Sequence, residues 1–454
     1  MDDLGLRDLL ITTIVFGSIP LIFKKPYIGI LMWCWLGYMS PHRLSFGFAY
    51  TMPFAAIIAG VTMVSLVLHK DQRQSIPYQN IVILWVFFII WTGITTYLAF
   101  YPTSAWIIYK KFFKIIAMTL VMLMLIIDKD KLNKLIWAIV LSLGFFGVKG
   151  GVFTILKGGS SIVWGPPGSF VEGNNELALA LLMIIPLANY LRVISKNKWI
   201  KLGFLGAMVL IGVSAIGSQS RGAFLAAGAM IFYFWTKSDK KVVSGLALLI
   251  VAGNIYAFMP QSWHNRMDTI ATYEQDGSAM GRINAWWEAY NVANDRFFGA
   301  GFNHYSVETF ALYAPNPEDV HAAHSIYFQV LGGHGWVGFA VYMMFCILSL
   351  RLSKKLTKKT KGIEELAWAS LLSKMVYVSL IAYAVGGAFL SLAYFDLPYH
   401  LMAILILTNL IVDRALKEPI ESKIKIGKRV KEELMPESEN LGKGLTNKVT
   451  YSKY

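Results

Sequence analysis

The sequence predicts an all-α, polytopic integral membrane protein, and three observations carry that expectation. Hydrophobic residues make up 56% of the 454 and charged residues only 15%, against about 45–50% and 25% in a soluble globular domain. Mean hydropathy is +0.52. Apolar runs approaching about 20 residues, the length a helix needs to cross a bilayer, recur from end to end. A soluble chain has nowhere to hide that much apolar surface, which argues against a soluble enzyme, a disordered scaffold and a secreted disulfide framework. Cys34 and Cys346 fall inside apolar runs and read as small core residues, with no disulfide expected between them.

The apolar runs lie near 8–23, 27–39, 52–69, 81–100, 112–127, 135–154, 177–191, 202–217, 222–236, 243–258, 325–350, 366–392 and 400–412. That makes about thirteen spans, several of them short enough to be broken or buried in protein. A net charge of +15 would suggest nucleic acid in a soluble chain. Here the basic residues gather in short gaps, Lys70–Arg73, Lys129–Lys134, Arg192–Lys201, Lys237–Lys241 and Arg351–Lys361. Such clusters mark the cytoplasmic side of spans, so the partner is a lipid bilayer and no nucleic acid is expected. The alternation puts the N-terminus outside and the C-terminus inside, with Lys110, Lys111 and Lys114 as the blemish on the outer side. The first run, flanked by Asp2, Asp3 and Asp8 and followed by no small-residue cleavage pattern, reads as a retained span. Residues 1–412 form the membrane domain, and 413–454, with ten Lys/Arg and seven Asp/Glu, a solvated cytoplasmic tail.

The stretch 259–323 breaks the pattern of short loops and falls outside by the same alternation. It has no lysine, three arginines and eight acids, a net charge of −5, and many aromatic residues, which argue against disorder. Loops of this length are usually functional. Within it, Ile283, Trp286, Trp287 and Tyr290 have helical spacing and fit either an interfacial helix with its rings at headgroup depth or a stripe packed on the bundle.

Three residues converge on the outer face by topology. Arg221 sits at a short turn, Arg282 near the start of the presumed loop helix, and His324 where the loop returns to the membrane. Guanidinium groups bind phosphate oxygens bidentately, and a near-neutral imidazole takes a proton from a hydroxyl. Together they suit attack by a hydroxyl on a sugar carried by a lipid diphosphate. Each has a plainer reading: Arg221 as a snorkelling arginine, Arg282 as the partner of Glu288 or another loop acid, His324 as a helix-start histidine. His321 and His324, with Glu318 and Asp319 nearby, also have the makings of a metal site, but no second ligand cluster accompanies them. His334 and Lys374 are ionisable groups within apolar runs. No phosphate loop or dinucleotide fingerprint is present, so no cofactor is expected and the energy must come from the substrate's own activated bond.

These residues stand in motifs. Ser220-Arg221-Gly222, Gly281-Arg282, Arg296-Phe-Phe-Gly299-Ala-Gly301-Phe302, His324-Ser325-Ile-Tyr327 and Gly333-His334-Gly335 with Gly338, all within 217–340, resemble the O-antigen ligase and polymerase-like family of bacterial membrane proteins. Ser325 departs from the asparagine frequent there. Arg7-Asp-Leu-Leu, Lys25-Pro26-Tyr27-Ile-Gly29, Pro41-His42-Arg43-Leu, Gly165-Pro166-Pro167-Gly168 and Asn174-Asn175-Glu176 are similar to a subgroup, the O-glycosylation ligases associated with exosortase A systems. The resemblance implies a metal-independent, inverting glycosyl transfer on the periplasmic face of the inner membrane. The donor would be a glycan on undecaprenyl diphosphate and the acceptor a hydroxyl of a protein Ser/Thr, a lipid or a glycan. Arg221 and Arg282 would hold the diphosphate and His324 would be the general base; Arg296, His321, Asn174, Asn175 and Glu176 are further candidates for substrate binding. A transporter of lipid-linked glycan, or a non-catalytic partner of a protein-sorting system, is the alternative.

Overall fold

The computed structural model describes residues 5–268 and 277–434, with side chains as far as 417. The described residues are helical, without strands. The N-terminal part comprises α1 (Leu6–Lys24), α2 (Tyr27–Met39), α3 (Phe54–Leu68), α4 (Asn80–Tyr97), α5 (Pro102–Leu125) and α6 (Lys129–Leu156). The central part follows with α7 (Asn174–Ile194), α8 (Lys198–Gly217), α9 (Arg221–Thr236) and α10 (Lys241–Phe258). The 259–323 segment contains α11 (Gln261–Asp268), α12 (Gly277–Asp295) and α13 (Val307–Tyr313), before α14 (Ile326–Lys359), α15 (Ala367–Gly386) and α16 (Asp396–Leu434). Starts are set by local chemistry: Asp128, Asn197, Ser220 and Ser306 each accept a backbone N–H of the first turn, relieving donors that a helix leaves unpaired. Of the expected C-terminal tail, residues beyond Leu434 lie outside those described.

Every apolar run centres on a helix, but the number of full-length spans differs from thirteen. Among the described residues nine helices are long and apolar enough to cross a membrane, the architecture of a multi-pass membrane protein. Helices α2 and α3, with 13 and 15 residues, and α9, with 16, reach only about 20–24 Å at ~1.5 Å per residue. Helix α5 is longer than its apolar run because it begins at Pro102, and it carries Lys110, Lys111 and Lys114.

The compact unit, Met1–Thr408, is built around α15, which packs on α7, α9 and α14, while α14 packs on α4 and α12. Two-thirds or so of α7 is buried, Asn174 through Leu191, whereas α10 buries no residue.

Helix α14 is interrupted. Gly335 has φ 65° and ψ −175°, a conformation essentially confined to glycine. The break removes the helical donors that the Gly332 and Gly333 carbonyls would otherwise meet. The Ala300 N–H donates to Gly332 O at 2.9 Å and the Gly301 N–H to Gly333 O at 2.8 Å. Gly299 at φ 68° and Gly301 at φ 82° make this approach possible: a Cβ on Gly299 would lie 2.7 Å from Gly332 O, and one on Gly335 would collide with the Phe297 carbonyl. In turn Phe100 N–H donates to Ala300 O at 3.0 Å, so the 296–302 motif joins α4 to the broken α14. Replacing Gly335 by Ala is predicted to lower the thermal unfolding midpoint in detergent, through at least about 1–3 kcal/mol of backbone strain plus the collision. Gly253→Ala in α10, where a Cβ meets nothing within 4 Å, serves as the control and leaves the midpoint unchanged or higher.

Candidate active site

The turn that presents Arg221 is held on three sides. The Asn174 amide, at the first residue of α7, donates to Ser218 O at 2.8 Å. Gln219, left-handed at φ 57°, donates through its side chain to Gly159 O at 3.2 Å. Ser220 caps α9 by accepting the Ala223 N–H. Arg221 is therefore the first residue of α9. Two residues beyond Asn174, the Glu176 carboxylate folds back over Gly173, close enough to Arg282 to feel its charge. Asn175 sits half-buried between them.

Arg282 lies in the second turn of α12. The buried face of α12, Gly281, Asn284, Ala285 and Glu288, carries the strand of chain that ends in His324. A Cβ on Gly281 would stand 2.8 Å from His321 Nδ1, so glycine there lets the His321 ring lie against the helix. His321 Nδ1 in turn meets Asp319 Oδ1 at 2.7 Å. The Asn284 amide donates to Asn316 O at 2.8 Å and Asp319 O at 3.0 Å, and its oxygen accepts the Asn316 N–H at 2.9 Å. Trp286 Nε1 donates to Ala323 O at 2.7 Å, and its ring stacks on Phe328 at 5.0 Å and 8°. Of the aromatic residues on α12, then, Trp286 packs inward while Trp287 and Tyr290 are exposed.

So strapped, the chain arrives at His324 with φ 43°, left-handed backbone that costs a non-glycine residue about 1–2 kcal/mol. Such strain concentrates at functional sites. Ser325 then opens α14. The next residue, Ile326, packs on Gly387, and Gly222 packs on Phe389, so the starts of α9 and α14 flank the same short segment. His324 is half-buried, and its pKa is pushed below the ordinary 6.5 by burial first, then by the positive Arg282 and by His321. A neutral imidazole at neutral pH is a proton acceptor.

The structure gathers Arg221, Arg282, His324, His321, Asn174, Asn175 and Glu176 about the first turns of α7, α9 and α14. It does not bring Arg296 there. That side chain donates to Leu98 O at 3.2 Å and lies 4.0 Å over the Phe100 ring, about 20 Å along α12 from Arg282 at ~1.5 Å per residue. Glu288 pairs with His304, at 2.9 Å, whereas Glu176 lies close enough to Arg282 to feel its charge. Among the described residues no three His, Cys, Asp or Glu side chains gather as a metal site. Sequence reading missed Asn284 as the clamp on the His324 strand; an asparagine in register with Gly281, Ala285 and Glu288 on one face of α12 was the available signal.

Comparison with known families bears on both halves of the chain. Residues 178–343 match the family model described as O-Antigen ligase. Every motif of the 217–340 group, with Arg221, Arg282 and His324, lies inside that match. O-antigen ligases are glycosyl-transferring membrane enzymes. Residues 6–196 match a family of unknown function, DUF5935, which takes in the N-terminal motifs and Asn174 to Glu176. No curated protein matches the chain.

The depressed His324 pKa has a direct readout. Diethyl pyrocarbonate modifies only neutral imidazole, so modification of His324, followed by peptide mass spectrometry, should reach half its plateau rate below pH 6.5. A midpoint at or above that value would contradict the buried, cation-flanked setting.

Proposed function

We propose that the protein is a glycan ligase that moves a glycan from undecaprenyl diphosphate to an acceptor hydroxyl. What supports this reading is that Arg282 on α12 lies near both Glu176 and a neutral His324, while Arg221 opens α9 at a turn tied to Asn174, about the first turns of α7, α9 and α14. Each of those helices ends in a basic cluster: α7 at Arg192–Lys201, α9 at Lys237–Lys241 and α14 at Arg351–Lys361. By the positive-inside rule the basic ends face the cytoplasm and the site faces the periplasm, where finished lipid-linked glycans are presented. An apolar cavity of about 250 Å³ supports a lipid-borne donor: it starts at Ser220, next to Arg221, and follows α9 past Ala227 and Ile231 to Phe234, walled by Leu182 and Trp263. That path is about 20 Å long at ~1.5 Å per helical residue, suited to part of a polyprenyl chain.

In this reading His324 takes the proton of the acceptor hydroxyl while its oxygen attacks the anomeric carbon from the side opposite the diphosphate. The anomeric C–O bond to the diphosphate breaks, its electron pair stays on the leaving phosphate oxygen, and the configuration inverts. Arg221 and Arg282 neutralise that charge as it develops, which lowers the barrier because the guanidinium groups are already in place. Glu176 and His321 hold Arg282 and the His324 strand in register. The acceptor is a protein Ser/Thr, a lipid or another glycan, and the exosortase-associated resemblance favours protein O-glycosylation. The interruption of α14 is filled by the 299–301 backbone, which favours a ligase over a transporter that needs an open path.

The test is transfer in detergent, with synthetic undecaprenyl-diphosphate glycan, a panel of acceptors and EDTA present. His324→Ala should lower the rate by about 10²–10⁴, and Arg221→Ala or Arg282→Ala each by about 10²–10³, while Arg296→Ala retains most of the parental rate. Transfer by His324→Ala at the parental rate would remove the base assignment, and glycan crossing liposomes without transfer would replace the ligase by a transporter.

A further inference from the structure

Beneath the His324 strand lies a buried polar cluster that the proposed chemistry leaves unused. Glu288 on α12, His304 after α12, His334 on α14 and Tyr394 before α16 are at most 4% exposed. His304 Nδ1 lies 2.9 Å from Glu288 Oε1. The other polar atom of each, Glu288 Oε2, His304 Nε2 and His334 Nε2, together with the Tyr394 hydroxyl, has no hydrogen-bond partner among the described residues. The groups are neighbours. The His304 ring lies against Gly332, where a Cβ would be 2.9 Å from Nε2, and Gly333 faces the Tyr394 hydroxyl at 3.8 Å. The His334 and Tyr394 rings are 5.8 Å apart. Gly332 lets the His304 ring lie against α14, and Gly333 stands beside the Tyr394 hydroxyl, so the two glycines let these polar groups approach the same turn.

Hydrogen-bond chemistry fixes what the open atoms are. A carboxylate only accepts, so His304 Nδ1 carries the proton toward Glu288, and Nε2 is a bare acceptor. Thr95 Oγ1 gives its hydrogen to Thr92 O at 3.1 Å, so it accepts from His334 Nδ1 at 2.6 Å, and His334 Nε2 is an acceptor too. Three acceptors and one hydroxyl cannot satisfy one another. Buried polar groups are rarely left so, and water, a small donor of two protons, is what fills polar pockets of this kind.

The cluster also reaches the candidate base. Tyr305 packs its ring 4.1 Å from that of His304, and its hydroxyl is at the backbone of Ala323, the residue before His324. His324, buried beside the positive Arg282, holds a proton poorly, so one taken from an acceptor has to be passed on.

We propose that Glu288, His304, His334 and Tyr394 enclose a site for a small cluster of bound water, and that His304 Nε2 receives through it, by way of Tyr305, the proton that His324 withdraws from the acceptor. The step balances. His324 returns to neutral, His304 becomes an imidazolium paired with the Glu288 carboxylate, and the proton leaves to solvent when product departs. Glu288 and His304 touch no substrate; they act through His324. The proton role rests on the ligase reading, whereas the water site does not.

Two measurements on the full-length protein test it. The first is synchrotron hydroxyl-radical footprinting, in sodium buffer and in tetramethylammonium buffer, because radicals made from bound water label buried side chains beside it. Tyr394 should be labelled several-fold faster than Tyr399, which is also buried but donates to Ala393 O at 2.8 Å. Equal rates, or labelling that depends on sodium, would overturn the water site. The second compares parent, Glu288→Gln and Glu288→Asp in the transfer assay, with unfolding midpoints recorded. Glu288→Gln should lose about 100-fold in kcat with donor KM unchanged, and Glu288→Asp should regain at least a tenth of parental kcat. A folded Glu288→Gln at parental kcat, or a loss that falls on KM, would overturn the relay. No transfer by the parent would retract the ligase reading and the relay with it, and footprinting alone would then decide the water site.

Discussion

The hydrocarbon of a bilayer offers no partner to a stray backbone group, so a helix that breaks there needs its freed carbonyls met from within the protein. Helix α14 breaks at Gly335, and the Gly332 and Gly333 carbonyls are met by Ala300 and Gly301. Much of the architecture depends on this join. It anchors the far end of the 259–323 segment in the bundle, ties that end to α4 through Phe100, and leaves α12 lying against α14. From there α12 presents Arg282 above the first turn of α14, where His324 stands. Losing either hydrogen bond would strand a buried carbonyl at a cost of about 1–3 kcal/mol and release the segment that carries half of the site.

The site is assembled from pieces far apart in sequence, each held by backbone carbonyls rather than by its neighbours in the chain. Asn174 fixes the Arg221 turn through Ser218 O, and Asn284 and Trp286 fix the His324 strand through the carbonyls of residues 316, 319 and 323. Side chains that clamp carbonyls place the charged groups without consuming their charge. Burial first, and then the positive field of Arg282, keeps His324 neutral, and the same guanidinium partly offsets the effect of burial on the Glu176 carboxyl.

Much of the fold was legible in the chain, because apolar run length and basic clusters follow from the bilayer alone. The thirteen apolar runs all lie on helices, and among the described residues nine of those helices are long and apolar enough to span: α9 has only 16 residues, as its short run already indicates, and lysines interrupt the first half of α5. In the candidate site, Arg221, Arg282 and His324 were legible because charge at the edge of an apolar run is conspicuous. The partners were not. Glu288 follows Arg282 by six residues, about 240° around a helix, and so faces away from it, toward His304. Arg296, conspicuous for the same reason as the others, is at the wrong end of α12. The break at Gly335 was invisible because glycines are ordinary in membrane helices, and only their contacts distinguish a kink from a packing site.

The central claim is that Arg221 and Arg282 together hold a lipid diphosphate next to His324. It is tested most directly by an electron cryo-microscopy structure of the protein in nanodiscs with undecaprenyl diphosphate. The account predicts phosphate density within about 3 Å of both guanidinium groups, with the polyprenyl chain entering the cavity beside Ser220, Ala227 and Ile231. Density at Arg296 and Phe100 or at the lysines of α5, with the two arginines unliganded, would contradict it.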